Sequence, residues 1–578
     1  MKQLILLLLS ALSLLIAGEP QQPVQNIDQI RFKSIPFAKT EAEKNQLLHT
    51  EEVIINGEKQ TIAFTPLMHT NYHDHNETFG QLKDYQDNPI FFKDGSRYVC
   101  NGATGGIGSS GLDFSSILHH NDKLYMISQF ECPIGAMYLF ELDQNHTTGV
   151  LKNKIDTLRY ISQKDEPGGG YVHCAGQATP WNSHLGSEEY ESDAKTVETT
   201  VDAKGFTNDP YYNKTVKFFN GNAKKQNPYF YGWVPEVRID QEGEPHHTKH
   251  YSMGRFSHEL AFVMPDRQTV YMSDDGTNVG LFMFKADRAE DLSSGQLYAA
   301  KLHQTDTKGA GAFTLEWIDL GHATDQEIRH IITSEPKFSD FFETATPQSN
   351  GCPINFTSIH TSAGHECLRL KPDANATVAS RLETRRYAAL QGATTELRKE
   401  EGITYDPVRH KLYIAMNEIN EGMLEQSAFD QGGNNHINLA KNDCGAVYEL
   451  SLNKHYQATE MRSLLEGEMI SKDLYGNRCH PDKISNPDNI TMLAGTDILT
   501  IGEDSSHHPN NVVWAYDLQN RTLTRLLSAP LGAEMTSLFW YTDINGWGYL
   551  TTVTQHPNEN TTNRGESTIS VLGPIRFR

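Results

Sequence analysis

Residues 254–284 read GRFSHELAFVMPDRQTVYMSDDGTNVGLFMF. An acid, Glu259, opens an apolar run from Leu260 to Met264, which a Pro-Asp-Arg turn ends. A second run, Val270-Tyr271-Met272, finishes on the paired acids Asp274 and Asp275. A Gly/Asn turn then leads into Leu281-Phe282-Met283-Phe284. Short β-branched and aromatic runs punctuated by turn residues predict a meander of strands.

The same unit returns along the chain. Glu401 to Tyr405 turns at Asp406-Pro407, continues through Leu412 to Ala415, reaches Glu418 and resumes at Gly445 to Tyr448. Asp488-Asn489-Ile490 leads to Ile498 through Ile501, the acids Glu503 and Asp504, and Val512-Val513-Trp514. Asp113-Phe114 leads to Leu124 through Ile127, Glu131 and Gly135 to Tyr138. A looser copy runs from Glu534 to Gln555-His556, and a weaker one from Pro180-Trp181 to Glu188 and Glu189. Six strand units at blade-sized spacing predict an all-β fold, a six-bladed β-propeller over residues 96–578. The acids fall where such a fold concentrates them. First strands line the central channel, so Asp113, Glu259, Glu401, Asp488 and Glu534 would form a carboxylate ring at one mouth. Carboxylates this close repel and raise one another's pKa, so the ring calls for cations.

The chain has 578 residues and a formal net charge of −23, which argues against nucleic acid and anionic membranes as partners. Met1-Lys2-Gln3 and the apolar run Leu4 to Ile16 read as a signal peptide over residues 1–18, too short to span a membrane. An exported protein follows. Residues 19–95 read as a polar extension with a His-rich patch at His69, His73 and His75, in which His73 and His75, with Asp74 between them, have metal-ligand spacing but fit a surface loop better. The Gly-rich segment 102–108 lacks the Lys and helix of a phosphate loop and reads as a turn cluster. Insertions at 195–250 and 320–397 are expected to cover one face. The second should carry helices near 325–332 and 378–391, with Arg381 and Arg385 on one face of the latter. Of seven cysteines, Cys352 with Cys367, Cys100 with Cys132 and Cys444 with Cys479 are reasonable pairs, which leaves Cys174, although spacing does not fix connectivity. Sequons at Asn76, Asn145, Asn213, Asn355, Asn375, Asn489, Asn520 and Asn560 offer positions for N-glycans.

Residues 174–189 read CAGQATPWNSHLGSEE. Taken with GRFSHE at 254–259, RKEEG at 398–402, NPDNI at 486–490, GAEMT at 532–536 and QHP at 555–557, this set resembles the PhoX family of bacterial alkaline phosphatases. The motifs keep the family's order over about residues 95–560. The resemblance implies a six-bladed propeller that hydrolyses small phosphate monoesters at a channel-mouth site of two ferric ions and several calcium ions. Cys174 and Glu259 would be iron ligands. Glu188, Glu189, Asp274, Asp275, Glu401, Asp488, Asn489 and Glu534 would bind Fe(III) or Ca2+. Glu400 competes with Glu401 because the family's Arg-Pro-Glu segment has one residue fewer. Arg398 would clamp the phosphate, since a guanidinium grips two oxygens at once.

The chain departs from the family pattern in three places. Tyr190 stands where members have a substrate-contacting Asn, the signal lacks twin arginines, and Asn489 is both a ligand candidate and a sequon. A non-catalytic, calcium-stabilised propeller glycoprotein with a binding role is the alternative. A calcium-dependent lactonase or phosphotriesterase on the same architecture ranks third, because it leaves Cys174 unexplained.

Overall fold

Each apolar run of the repeated unit is a strand, and the inner ones are buried on both faces, as in His258–Val263 and Pro487–Met492. Residues with no solvent-facing side read as continuous apolar runs rather than as an alternation. The computed structural model describes residues 22–101, 111–349, 351–558 and 565–578. The expected signal peptide (1–18), the Gly-rich turn (102–108) and the sequon at Asn560 lie outside these residues.

The protein is mostly β. Six antiparallel meanders begin with β1 (Gly111–His120), β2 (Gln177–Ala178), β3 (His258–Val263), β4 (Glu400–Asp406), β5 (Pro487–Met492) and β6 (Glu534–Ile544). The meanders of β3 and β4 fuse into one nine-stranded sheet where Ala312–Thr324 pairs with Ala458–Glu466. The six opening strands touch in chain order, and β6 returns to β1, so they close a cycle. Apolar clusters fill the spaces between neighbouring meanders, for example Leu260, Phe262, Ile403 and Ile414 between β3 and β4.

Part of the segment read as a polar extension is built into these sheets. Ala63–His69 pairs with Thr568–Ile575 as the outer strand of the β6 meander, and Leu48–His49 adds to the β5 meander. Pro66 is tolerated there because the outer edge of a sheet needs no further donor.

The insertion at 195–250 starts with helix α1 (Ala194–Thr200), capped by Asp193, and ends as two strands of the β2 meander, Val234–Ile239 and Pro245–His250. The weakest repeat of the sequence is weak for that reason: the insertion separates its outer strands from its inner ones. The insertion at 320–397 carries α2 (Asp325–Ile332) over the expected residues and a small sheet of its own. The second expected helix is broken. Glu383 leaves helical geometry (φ −129°, ψ 54°) and divides α3 (Ala376–Leu382) from α4 (Thr384–Leu390). Its carboxylate is drawn to the Tyr229 hydroxyl (2.9 Å) and the Arg386 guanidinium (2.8 Å). Arg381 and Arg385 therefore do not share a face: Arg381 donates to the carbonyls of Ser252 and Gly321, while Arg385 reaches Asp274 and Glu191.

The disulfides are Cys100–Cys132, Cys352–Cys367 and Cys444–Cys479, with Cys174 free and buried. No helix among the described residues is long and apolar enough to cross a membrane.

Candidate metal centre

A repeated backbone irregularity aims the acids inward. In β1 the ladder slips between Leu112 and Ser115, in β3 between His258 and Ala261, and in β4 between Glu400 and Ile403. It slips again in β5 between Pro487 and Ile490 and in β6 between Thr536 and Phe539. At each slip one extra residue enters the first strand, which is a β-bulge, the device that re-aims side chains beside active sites. Asp113, Glu259, Glu401 and Asp488 sit inside these bulges.

Their side chains converge. Asp113, Glu131 and Cys174 lie within 4.8 Å of one another, as do Cys174, Glu189 and Glu259, then Glu259, Glu401 and Asp488, then Asp488, Asp504 and Glu534. The four groups share members and make a continuous chain of eight carboxylates and one thiol. The Cys174 Sγ is 3.1 Å from Glu259 Oε2 and 3.7 Å from Asp113 Oδ2. Gln555 Nε2 donates to Asp113 (3.2 Å) and Glu131 (3.1 Å), bridging two of them.

The electrostatics are those of an uncompensated anion cluster. Burial pushes Asp113, Glu189, Glu259, Asp488 and Glu534 above the usual carboxylate range, and charged neighbours add to it. Burial and the surrounding acids likewise raise the Cys174 thiol. At Glu401 burial dominates and the Lys399 ammonium opposes it. At Asp275 burial is outweighed by Lys399 and by hydrogen bonds from Glu189 and Tyr190, so that carboxylate lies below its usual range. Asp113 Oδ1 is buried without a hydrogen-bond partner. Buried anionic oxygens at this density, with a soft sulfur among them, are a donor set that fits bound metal cations.

Several predicted ligands stand apart from this chain of groups. Glu188 pairs with the fully buried Lys249 (2.6 Å) and accepts from the amides of Gly232 and Trp233, so it braces the β2 meander. Asp274 is held bidentately by Arg385 (2.6 and 2.7 Å). Glu400 neighbours Asp274, and Glu401 is the one of the pair that joins a converging group. Asn489 is buried, donates to Asp488 (2.9 Å) and accepts from the Ser537 amide, which leaves no room for a glycan. Arg398 is part-buried and bound to Glu418 (3.0 Å) and Glu421 (3.6 Å). His75 sits between Asp74 and Asp156 in an exposed ion-paired loop, and His73 meets Thr78.

Sequence reasoning placed Glu131 and Asp504 at strand ends without making them ligands, and it gave Lys399 no role. Its ammonium lies 3.0 Å from Glu401 and 3.5 Å from Asp275. The signal for the two acids was present: both end second strands, as Asp274 and Asp275 do. A cavity of about 250 Å³ opens beside Asp275, lined by Tyr190, Tyr211, Arg255, Arg385 and Arg386. The Tyr190 hydroxyl donates to Asp275 (2.5 Å), and its ring stacks on Tyr211 at 5.4 Å.

A mostly β scaffold gathers buried acids and a thiol into a candidate metal centre beside an open cavity. The chain belongs to the PhoX alkaline phosphatase family, whose model matches residues 147–543. It is a phosphoric monoester hydrolase by that membership. Among solved structures, Pseudomonas fluorescens PhoX in complex with vanadate, a transition-state analogue, shares the fold at 16% identity. That match covers 94% of this chain and 98% of the other, with a TM-score of 0.61. A putative 6-phosphogluconolactonase from Bacteroides uniformis is far less similar (10% identity, 71% and 82% coverage, TM-score 0.28). A gluconolactonase from Xanthomonas campestris is comparably distant (8% identity, 80% and 95%, TM-score 0.27). No curated protein matches the sequence.

Proposed function

We propose that the chain is an exported phosphomonoesterase built as a six-bladed β-propeller, with Fe(III) and Ca2+ held at the mouth of the central channel. The closed cycle of six opening strands supports the blade count. One observation carries the metal reading: Cys174, buried and unpaired with sulfur, lies in chelating reach of Asp113, Glu131, Glu189 and Glu259. A thiolate beside carboxylates suits ferric iron, and the all-oxygen groups Glu259/Glu401/Asp488 and Asp488/Asp504/Glu534 suit calcium.

Bound cations would polarise phosphoryl oxygens and lower the pKa of an attacking oxygen. The chain's own residues supply positioning. Arg398 presents the guanidinium suited to a phosphate, and Glu418 and Glu421 hold it oriented. Tyr190 fixes Asp275 and forms, with Tyr211, a flat apolar wall against which the ester's organic group would lie. Buried Arg385 and Arg386 neutralise the acids of α1's cap and of the cavity wall, which keeps the entrance from repelling an anion. Vanadate bound to the Pseudomonas protein is consistent with a phosphate-sized anion at the corresponding place.

The non-catalytic reading draws on a specific feature: the Arg398 guanidinium is already held within the chain by Glu418 and Glu421. Metal content per chain and turnover of an aryl phosphate decide between the two. Iron with several calcium ions and turnover establishes the phosphatase. Calcium without iron and without turnover moves the chain to the binding class.

A further inference from the structure

Lys399 carries a positive charge into the acids on an unusual backbone. Its φ of 49° is left-handed, in a segment where Arg398 pairs with Thr277 and Glu400 with Met416. A non-glycine residue in that region is strained and persists only where its surroundings hold it there. Here they do: its amide donates to the Gly276 carbonyl (2.8 Å), and its carbonyl accepts from the Asn417 amide (3.0 Å). The twist sends successive side chains opposite ways. Arg398 goes to Glu418 and Glu421, and Lys399 goes to the buried Glu401 and Asp275.

The ammonium meets oxygens that nothing else satisfies. Asp275 Oδ1 and Glu401 Oε1 are buried and accept no hydrogen bond, and the Lys399 ammonium, at 3.5 and 3.0 Å, is their only ion-pair partner among the described residues. Asp275 is fixed from its other side by Tyr190, and Glu401 is a corner of the Glu259/Glu401/Asp488 group. A calcium ion bridging Asp275 and Glu401 would need their oxygens at about 2.3–2.6 Å, in the space the ammonium takes. The two cations exclude each other.

We propose that Lys399 is a resident cation of the site: its ammonium takes, between Asp275 and Glu401, the place a divalent ion with all-oxygen ligands would fill. The inference rests on reading the acids as a metal centre. The chain then binds one metal ion fewer than its carboxylates could hold, and the charge at that corner persists when metal is scarce.

The test is metal content per chain by mass spectrometry after dialysis against millimolar calcium, for the wild type, Lys399→Gln and Lys399→Arg. Lys399→Gln should hold one calcium more than the wild type, and Lys399→Arg, which keeps a cation there, should hold no more. An unchanged or lower count in Lys399→Gln overturns the proposal, as it would if the lysine served only to contact substrate. Should Lys399→Gln unfold without calcium, recovery of its circular-dichroism spectrum in millimolar calcium supports the proposal, and failure to recover overturns it. A wild-type chain holding no metal overturns the metal-centre reading together with this one. Metal in the wild type with no gain in Lys399→Gln overturns this inference alone.

Discussion

Cys174 has a thiol raised by burial and by four acids, so it ionises only if a cation compensates. Cys174→Ser replaces a soft ligand with a hard, weak one at nearly the same volume. Iron content and turnover should fall together, while the three disulfides and the melting temperature of the metal-free protein hardly change. Retained iron in that variant would remove Cys174 from the centre. Arg398 gives a second test. Lys at this position keeps the charge but loses the planar two-point grip, so Arg398→Lys should raise KM about tenfold, or about 1.4 kcal/mol, with metal content unchanged. An unaltered KM would transfer the clamp to another cation. At this scale the ring acids of the opening strands were legible, because an acid ahead of an apolar run stands out in the sequence. Lys399 was not, since one extra residue in RKEEG shows an irregular register but not which side chain turns inward.

Bulges, not strands alone, make the site, and they are invisible in sequence for a physical reason. A bulge shifts the side-chain alternation by one residue, yet strands buried on both faces show no alternation to shift. Gly402 marks one of them. A Cβ there would lie 2.6 Å from the Asp488 carbonyl oxygen and 2.6 Å from the Ile490 amide nitrogen, both backbone atoms of the neighbouring bulge. Gly402→Ala should therefore push β4 from β5, cost about 2–3 kcal/mol in urea unfolding and weaken metal binding. A variant as stable as the wild type would show that the two bulges are not in register-tight contact. The insertion at 320–397 is pinned by a different element. His250 Nε2 meets Glu236 and Nδ1 meets Asp325 at the start of α2, both at 3.0 Å. Burial alone would lower its pKa, but the two carboxylates outweigh it and push it up to about 10. A raised histidine stabilises fully below its unfolded value of about 6.5 and loses that contribution as pH climbs towards 10. His250→Gln should cost about 2 kcal/mol near pH 6 and clearly less near pH 9.5, read as urea midpoints at both. A pH-independent difference would mean that the pair is held by shape rather than charge.

The cycle of meanders closes through the chain's two ends, a feature the sequence concealed. Ala63–His69 contains Pro66 and buries only Leu67 and Met68, so it lacks the apolar run that marks most of the repeated units. Its role comes from its partner. Thr568–Ile575 buries Ile569, Val571 and Leu572 and has one free edge, which Ala63–His69 covers over six paired positions. Without that strand the edge would present unpaired amides and apolar side chains to water, the arrangement that invites aggregation. Because β6 also touches β1, loosening the last meander would loosen Asp113 and Glu534, which lie at opposite ends of the chain of converging acids. Two truncated chains isolate the effect: one starting at Ala63 keeps the strand, and one starting at Thr70 lacks it. The longer should unfold cooperatively on heating and retain metal. The shorter should melt several degrees lower, since each kcal/mol lost moves the midpoint of a chain this large by about 1 °C and an uncovered strand edge loses several, and it should release metal first. If the two melt together with equal metal content, closure belongs to the inner strands alone, and the N-terminal strand is an ornament of the sixth meander.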